Sequence, residues 1–202
     1  GIENLSITLT EANGTPNEAQ YTLTKFEGTS ITATEASDSG GVVNIDLGTV
    51  HKNTTSVDLS ATKGTQKANL SNASSAATFT LSGAGVATIT GSAYGDTLTI
   101  GKTAAATVHN VTGGAGTDIV NITSDGGTFN PSDLNVETLN ITVTAGNDVT
   151  LASGQGFHAT STAITIDGGN SLSTLNGLAA TNLYLADTVK TFDAGAFGGN
   201  IQ

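Results

Sequence analysis

The sequence predicts an all-β protein, a parallel β-solenoid or β-roll built of short stacked rungs. Three observations carry this expectation. Short stretches alternate apolar and polar residues with a period of two. Clusters of Gly, Asn, Asp and Ser separate them at intervals of roughly 20 residues, a rung length common in solenoids. The chain also resembles itself at a long offset. Composition agrees: the 202 residues include 26 Gly but only 2 Pro and no Cys, Met or Trp, and just 4% are aromatic. Such a core has to be made from Val, Ile, Leu, Ala and Thr, whose small or β-branched side chains stack well on a pleated surface. The alternative is a tandem pair of β-sandwich domains, which would carry similar strands but more large residues facing inward.

Taken in order, LSITLT (5–10), YTLT (21–24), VVNIDL (42–47), SVDLSA (56–61) and TFTLSG (78–83) read as strands. So do TLTIG (97–101), IVNIT (119–123), LNITVT (139–144), ITID (164–167) and NLYLAD (182–187). The segments between them are turn formers. Helix is admitted only over 17–20 and 177–181.

The self-similarity has two parts. IENLSITLT (2–10) matches VETLNITVT (136–144), setting Glu3 against Glu137, an offset of 134 residues. TSVDLSA (55–61) resembles KTFDAGA (190–196), with Asp58 against Asp193, an offset of 135. These offsets predict a duplicated cassette: a first solenoid segment over 1–90, glycine-rich turns over 91–123, and a second segment over 124–202 that partly repeats the first. The chain starts inside a strand pattern, which reads as a piece of a longer protein.

Charge excludes whole classes of partner. There are 17 acidic against 6 basic residues, a formal net charge of −11. Nucleic acid and anionic membrane surfaces both require Lys and Arg, so neither is expected. No apolar run approaches the ~20 residues of a membrane-spanning helix, so no insertion is expected. Without Cys there are no disulfides and no thiolate metal sites. A cation remains a compatible partner.

One stretch points to that cation. GGAGTDIVN (113–121) fits the nonapeptide G-G-x-G-x-D-x-U-x, where U is a large apolar residue. Gly113, Gly114 and Gly116 allow positive φ and a tight turn whose carbonyl oxygens face inward. Asp118 adds a carboxylate, and Val120 takes the apolar position. Carbonyls and carboxylates together form an all-oxygen donor set, which suits calcium rather than a soft metal. A second turn has to stack on the first to complete the ligands. GSAYGDTLT (91–99) is the candidate, with Gly91, Asp96 and Leu98 in the first, sixth and eighth positions and Ser92 and Tyr94 replacing glycines. Asp96 and Asp118 lie 22 residues apart, the length of one rung. Asp125, Asp148 and Asp167 lie in other acidic turns (SDGG, AGND, IDGGN); the first two are kept as further metal candidates, although Asp-Gly and Asn-Asp are turn formers first.

The nonapeptide is that of RTX proteins, bacterial polypeptides exported by type I secretion. The wider layout, an IENL or VETL strand, a long Thr/Asn/Ala-rich region, TSVDLSA, then the two glycine turns and VETLNIT, resembles RTX-type surface-layer proteins of Gram-negative bacteria. The likeness covers most of the chain in pattern and is weak residue by residue outside the motifs. It implies a secreted, extracellular protein with calcium-bound solenoids that self-associate in a cell-surface lattice, held to surface polysaccharide through other parts of the polypeptide. The chain departs from the family in having one perfect nonapeptide rather than several in tandem, and no visible C-terminal secretion signal.

A calcium-stiffened segment of an RTX adhesin or toxin shares this composition and stays open. A polysaccharide-active β-helix enzyme is less favoured, because the basic residues are scattered and no acid–base cluster is visible. No enzymatic activity is therefore expected. His51, His109 and His158 have no i, i+4 partner, and Glu3 and Glu137 read as solvated or edge-protecting charges. With a Kd of ~0.1 mM, ~1 mM calcium would add about 1.4 kcal/mol of stability per site.

Overall fold

The computed structural model describes residues 2–10, 19–23, 26–36, 42–103, 109–125, 127–129, 134–143, 149–151, 163–168, 171–175, 182–185, 191–192 and 200–201. These residues form a parallel β-solenoid of twenty short strands, with no helix among them.

The largest sheet has ten strands, one from each successive rung. They are β1 (Asn4–Leu9), β3 (Ser30–Glu35), β5 (Ser56–Ala61), β7 (Thr78–Leu81), β9 (Thr97–Thr103), β11 (Ile119–Ser124), β14 (Thr138–Val143), β16 (Ala163–Gly168), β18 (Asn182–Leu185) and β20 (Asn200–Ile201). A six-stranded sheet holds β2 (Ala19–Thr22), β4 (Val43–Thr49), β6 (Gln66–Asn69), β8 (Ala87–Thr90), β10 (Asn110–Thr112) and β13 (Leu134–Asn135). A four-stranded sheet holds β12 (Gly127–Phe129), β15 (Val149–Leu151), β17 (Ser171–Leu175) and β19 (Thr191–Phe192). The chain changes from the six-stranded to the four-stranded sheet between β11 and β14, in a rung that carries a strand of each. The ten-stranded sheet passes through this change unbroken and spans roughly 43 Å at about 4.8 Å per strand. Residues 19 and 20, admitted above as helix, are strand; 17–18 and 177–181 lie outside the described residues.

Alternation decides which side chains go inside. In the ten-stranded sheet, Ile31, Val57, Phe79, Leu98, Val120 and Leu139 share one inward column. Leu59, Leu81, Ile100, Ile122 and Ile141 share the next. All eleven are buried. Each apolar residue stacks on its register neighbours from the adjacent rungs, so a continuous core needs few aromatics. The facing sheet is more mixed. Its inward positions include Gln66 and His109 beside Ile45, Ala68, Ala87 and Ile89. His109 accepts the Ala87 N–H through Nδ1 at 3.1 Å, and burial lowers its pKa to about 4, so the imidazole is neutral in the core. Glu35 is buried where β3 ends; it accepts the Lys63 N–H at 2.8 Å and lies 3.5 Å from the Lys63 ammonium.

The register explains the first self-match. Six steps of pairing lead from Asn4 to Ser30, Ser56, Thr78, Thr97, Ile119 and Thr138. Segments 2–9 and 136–143 thus occupy the same place in the same sheet, six rungs apart. The second match joins different places: 56–61 is β5 of the ten-stranded sheet, whereas Thr191–Phe192 is β19 of the four-stranded sheet.

Candidate metal centre

The residues just before the first seven strands of the ten-stranded sheet form a column of their own: Glu3, Thr29, Thr55, Ala77, Asp96, Asp118 and Glu137. The last three are acidic and successive. Each reaches back one rung with its carboxylate and accepts the backbone N–H of the residue before it in the column. Asp96 Oδ1 accepts from Ala77 at 2.7 Å, Asp118 Oδ1 from Asp96 at 2.7 Å, and Glu137 Oε2 from Asp118 at 2.7 Å. Parallel pairing leaves these N–H groups available, because the strand carbonyls are taken by the next residue along: Thr97, Ile119 and Thr138 donate to Ala77, Asp96 and Asp118. The carboxylates therefore extend the ladder of rung-to-rung bonds by one position.

Both aspartates are buried and sit at the ends of two turns stacked one on the other. Gly91 N–H donates to Thr112, Ala115 N–H to Ser92, and Ile119 N–H to Asp96. The stack brings together Gly91, Asp96, Gly113, Gly114, Gly116 and Asp118, as the 22-residue spacing predicts. The glycines have different jobs. Gly114 and Gly116 lie at φ +112° and +115°, in the region that favours glycine. Gly113 does not have positive φ, which corrects the expectation for it. It is glycine because the Asp118 carboxyl lies where a Cβ would project, and Gly91 stands in the same relation to Asp96 and to the Gly113 carbonyl. The first and sixth residues of each turn are thus coupled by contact.

The two turns differ in how they satisfy their carboxylates. In the first, Asp96 accepts from Ala77 N–H, from Ser92 N–H and from Ser92 Oγ at 2.9 Å, so both oxygens are engaged. In the second, Gly114 stands where Ser92 stands; it has no hydroxyl, and its N–H does not bond Asp118 Oδ2 as the Ser92 N–H bonds Asp96 Oδ2. Asp118 Oδ2 is buried and has no hydrogen-bond partner. Burial raises the Asp118 pKa to about 6; the Asp96 N–H opposes this, and the carboxylates of Glu137 and Asp96 add to it, Glu137 also through the hydrogen bond that a protonated Asp118 carboxyl makes to it.

This donor set fits a hard divalent cation in part. The open Asp118 oxygen and its carboxylate neighbour Glu137 have the oxygen chemistry calcium takes. Among the described residues, however, no group of three or more His, Cys, Asp or Glu side chains is placed to hold a metal, so carbonyls and water would have to supply the remaining ligands. Asp125 sits past the far end of β11, roughly 23 Å from Asp118 at about 3.3 Å per residue, and does not join the column. Asp148 lies outside the described residues, as does the side chain of Asp167. Glu137 was read from sequence as a solvated charge, yet it is half-buried and bonded to Asp118. Two signals pointed to it: it recurs with Glu3, and it lies one rung, 19 residues, beyond Asp118.

Comparison with family models, with curated proteins and with solved structures finds no match for this chain. No helix among the described residues is long and apolar enough to cross a membrane.

Proposed function

We propose that this chain is a structural segment of a secreted, calcium-binding surface-layer protein, a solenoid rod that packs side to side in a cell-surface lattice. The observation that carries the reading is the unbroken ten-stranded parallel sheet. It makes a stiff, elongated element whose outward positions are mostly hydroxyl and amide side chains, such as Ser30, Thr32, Thr78, Thr80, Thr97, Thr99, Asn121 and Asn140. The chain's net charge of −11 would push copies apart, whereas this face, whose column from Thr32 to Asn140 carries the single charge of Asp58, lets them approach. The nonapeptide turn and the open Asp118 oxygen support calcium as the cofactor, and the resemblance to RTX-type surface-layer proteins supports the extracellular setting. The reading assigns no catalytic step.

Electron microscopy of the purified chain in about 10 mM calcium, well above the Kd range of extracellular calcium modules, tests it. Ordered two-dimensional sheets are expected. A chain that stays monomeric and instead binds a foreign glycan or surface would overturn the lattice reading in favour of an RTX adhesin segment.

A further inference from the structure

We infer that the cation seat lies between Asp118 and Glu137, with Asp96 left out of it, so that only one of the two glycine turns is a metal turn. This rests on the calcium reading above and relocates the site. The motif alone predicts a cation sandwiched between the two turns, with Asp96 and Asp118 as its carboxylates. The hydrogen bonds divide them differently. Asp96 has no oxygen to spare: Ala77 N–H, Ser92 N–H and Ser92 Oγ occupy both. Ser92 does inside the first turn what a cation does elsewhere, satisfying a buried carboxylate with donors four residues upstream. On Oδ2, the oxygen that is open in Asp118, the donor is the Ser92 backbone N–H, a bond that Gly114, at φ +112°, does not make; the course of the backbone here, with the Ser92 hydroxyl as a second bond on Oδ1, closes the first turn to metal.

The second turn lacks that device. Asp118 Oδ2 is buried, unpartnered and aimed at Gly113, where no side chain intrudes. A buried carboxylate oxygen with no donor is costly, and a nearby carboxylate increases the cost. Glu137 is that neighbour, its Oε2 2.7 Å from the Asp118 nitrogen. The backbones of adjacent rungs lie about 4.8 Å apart and Glu137 reaches back to the Asp118 backbone, which puts the two carboxylates in one neighbourhood that a divalent ion can bridge. Glu137 belongs to no glycine nonapeptide. It immediately precedes β14, the strand after the rung in which the chain changes from the six-stranded to the four-stranded sheet, so a cation here would fasten that rung to the next.

Calorimetric titration of the chelator-treated chain with calcium chloride tests the assignment, with far-UV circular dichroism confirming that each variant is folded. Wild type is expected to take one ion per chain at this seat. Glu137→Gln and Asp118→Asn should each weaken binding about tenfold or more. Asp96→Asn should lower the melting temperature equally with and without calcium, leaving affinity within about twofold, well inside the scale of a lost ligand. Ser92→Gly keeps the backbone N–H on Asp96 Oδ2 and should leave the count at one ion. Because Glu137 is only half-buried, its variant is the safer one if Asp118→Asn does not fold. Binding that survives Glu137→Gln but is lost in Asp96→Asn would overturn the relocation and restore the two-turn sandwich. No calcium heat in a folded wild-type chain would overturn the calcium reading as well, while leaving the lattice reading to microscopy.

Discussion

The Asp118 carboxylate accepts the backbone N–H of Asp96, one rung away, at 2.7 Å, while its other oxygen is buried without a partner. One side chain is therefore both a structural bond and an unfinished one. Asp96, its neighbour in the column, is finished by Ser92.

Removing the finished carboxylate should be expensive. Asp96→Ala leaves the Ala77 N–H and both Ser92 donors unpaired in a buried turn. Hydrogen bonds to charged groups are worth about 1.5–3 kcal/mol each, and the losses share one site and do not add, so a total of about 3 kcal/mol is expected. Urea unfolding in chelator measures it. A loss under about 1 kcal/mol would show that water replaces the carboxylate.

Gly113→Ala should be as damaging as a change at a strained glycine, although Gly113 has no positive φ. The new methyl would occupy the space of the Asp118 carboxyl. A loss of about 2 kcal/mol or more is expected, in the range of overpacking. The double variant Gly113→Ala with Asp118→Ala should lose less than the sum of the two single changes, because the clash disappears with the carboxyl. Strict additivity in a double-mutant cycle would refute the contact.

Two buried groups give opposite pH dependences. Asp118 is raised to about 6 from 3.8, so between these values the folded chain holds the proton more tightly than the unfolded one. Its contribution to stability therefore grows as pH falls through 6 and is lost as pH rises. His109 is lowered to about 4 from 6.5, so the folded chain resists protonation, and stability is lost as pH falls through that window. In calcium-free buffer the two oppose each other. The melting temperature of Asp118→Asn should accordingly fall more steeply than that of wild type between pH 6.5 and 4; parallel curves would contradict the assignment to Asp118.

The largest buried core side chain, Phe79, stacks between Val57 and Leu98 in its column. Phe79→Ala should cost about 3–5 kcal/mol. Thermal melts of this variant beside Thr78→Ala, on the exposed face of the same strand, separate core from surface: the latter should stay within about 0.5 kcal/mol.

These results also show what the chain discloses of itself before folding. Strands of the ten-stranded sheet stand out because Leu98, Ile100, Val120 and Ile122 alternate with Thr99 and Asn121, a contrast that burial on one face requires. Most strands of the facing sheet escape notice, because Gln66, Ala68, Ala87 and His109 take inward positions there and blur the alternation. β3 is missed for a similar reason: its inward set of Ile31, Ala33 and Glu35 includes a charge that Lys63, a rung away, helps make tolerable. The glycine turns are legible from spacing alone. The division of labour between Asp96 and Asp118 is not, because it depends on a backbone course that brings the Ser92 N–H onto Asp96 but leaves Gly114 off Asp118, and on Glu137 arriving from the following rung.

The most direct test of the account is hydrogen–deuterium exchange at single-amide resolution, with and without calcium. The Asp96 and Asp118 amides, bonded to Asp118 and Glu137, should be protected in chelator at the level of the neighbouring strand amides. Calcium should slow them further, while leaving the Ala77 amide, held by the closed Asp96, unchanged. Fast exchange at Asp96 and Asp118 in chelator, or calcium protection centred on Ala77, would contradict the carboxylate column and its single open seat.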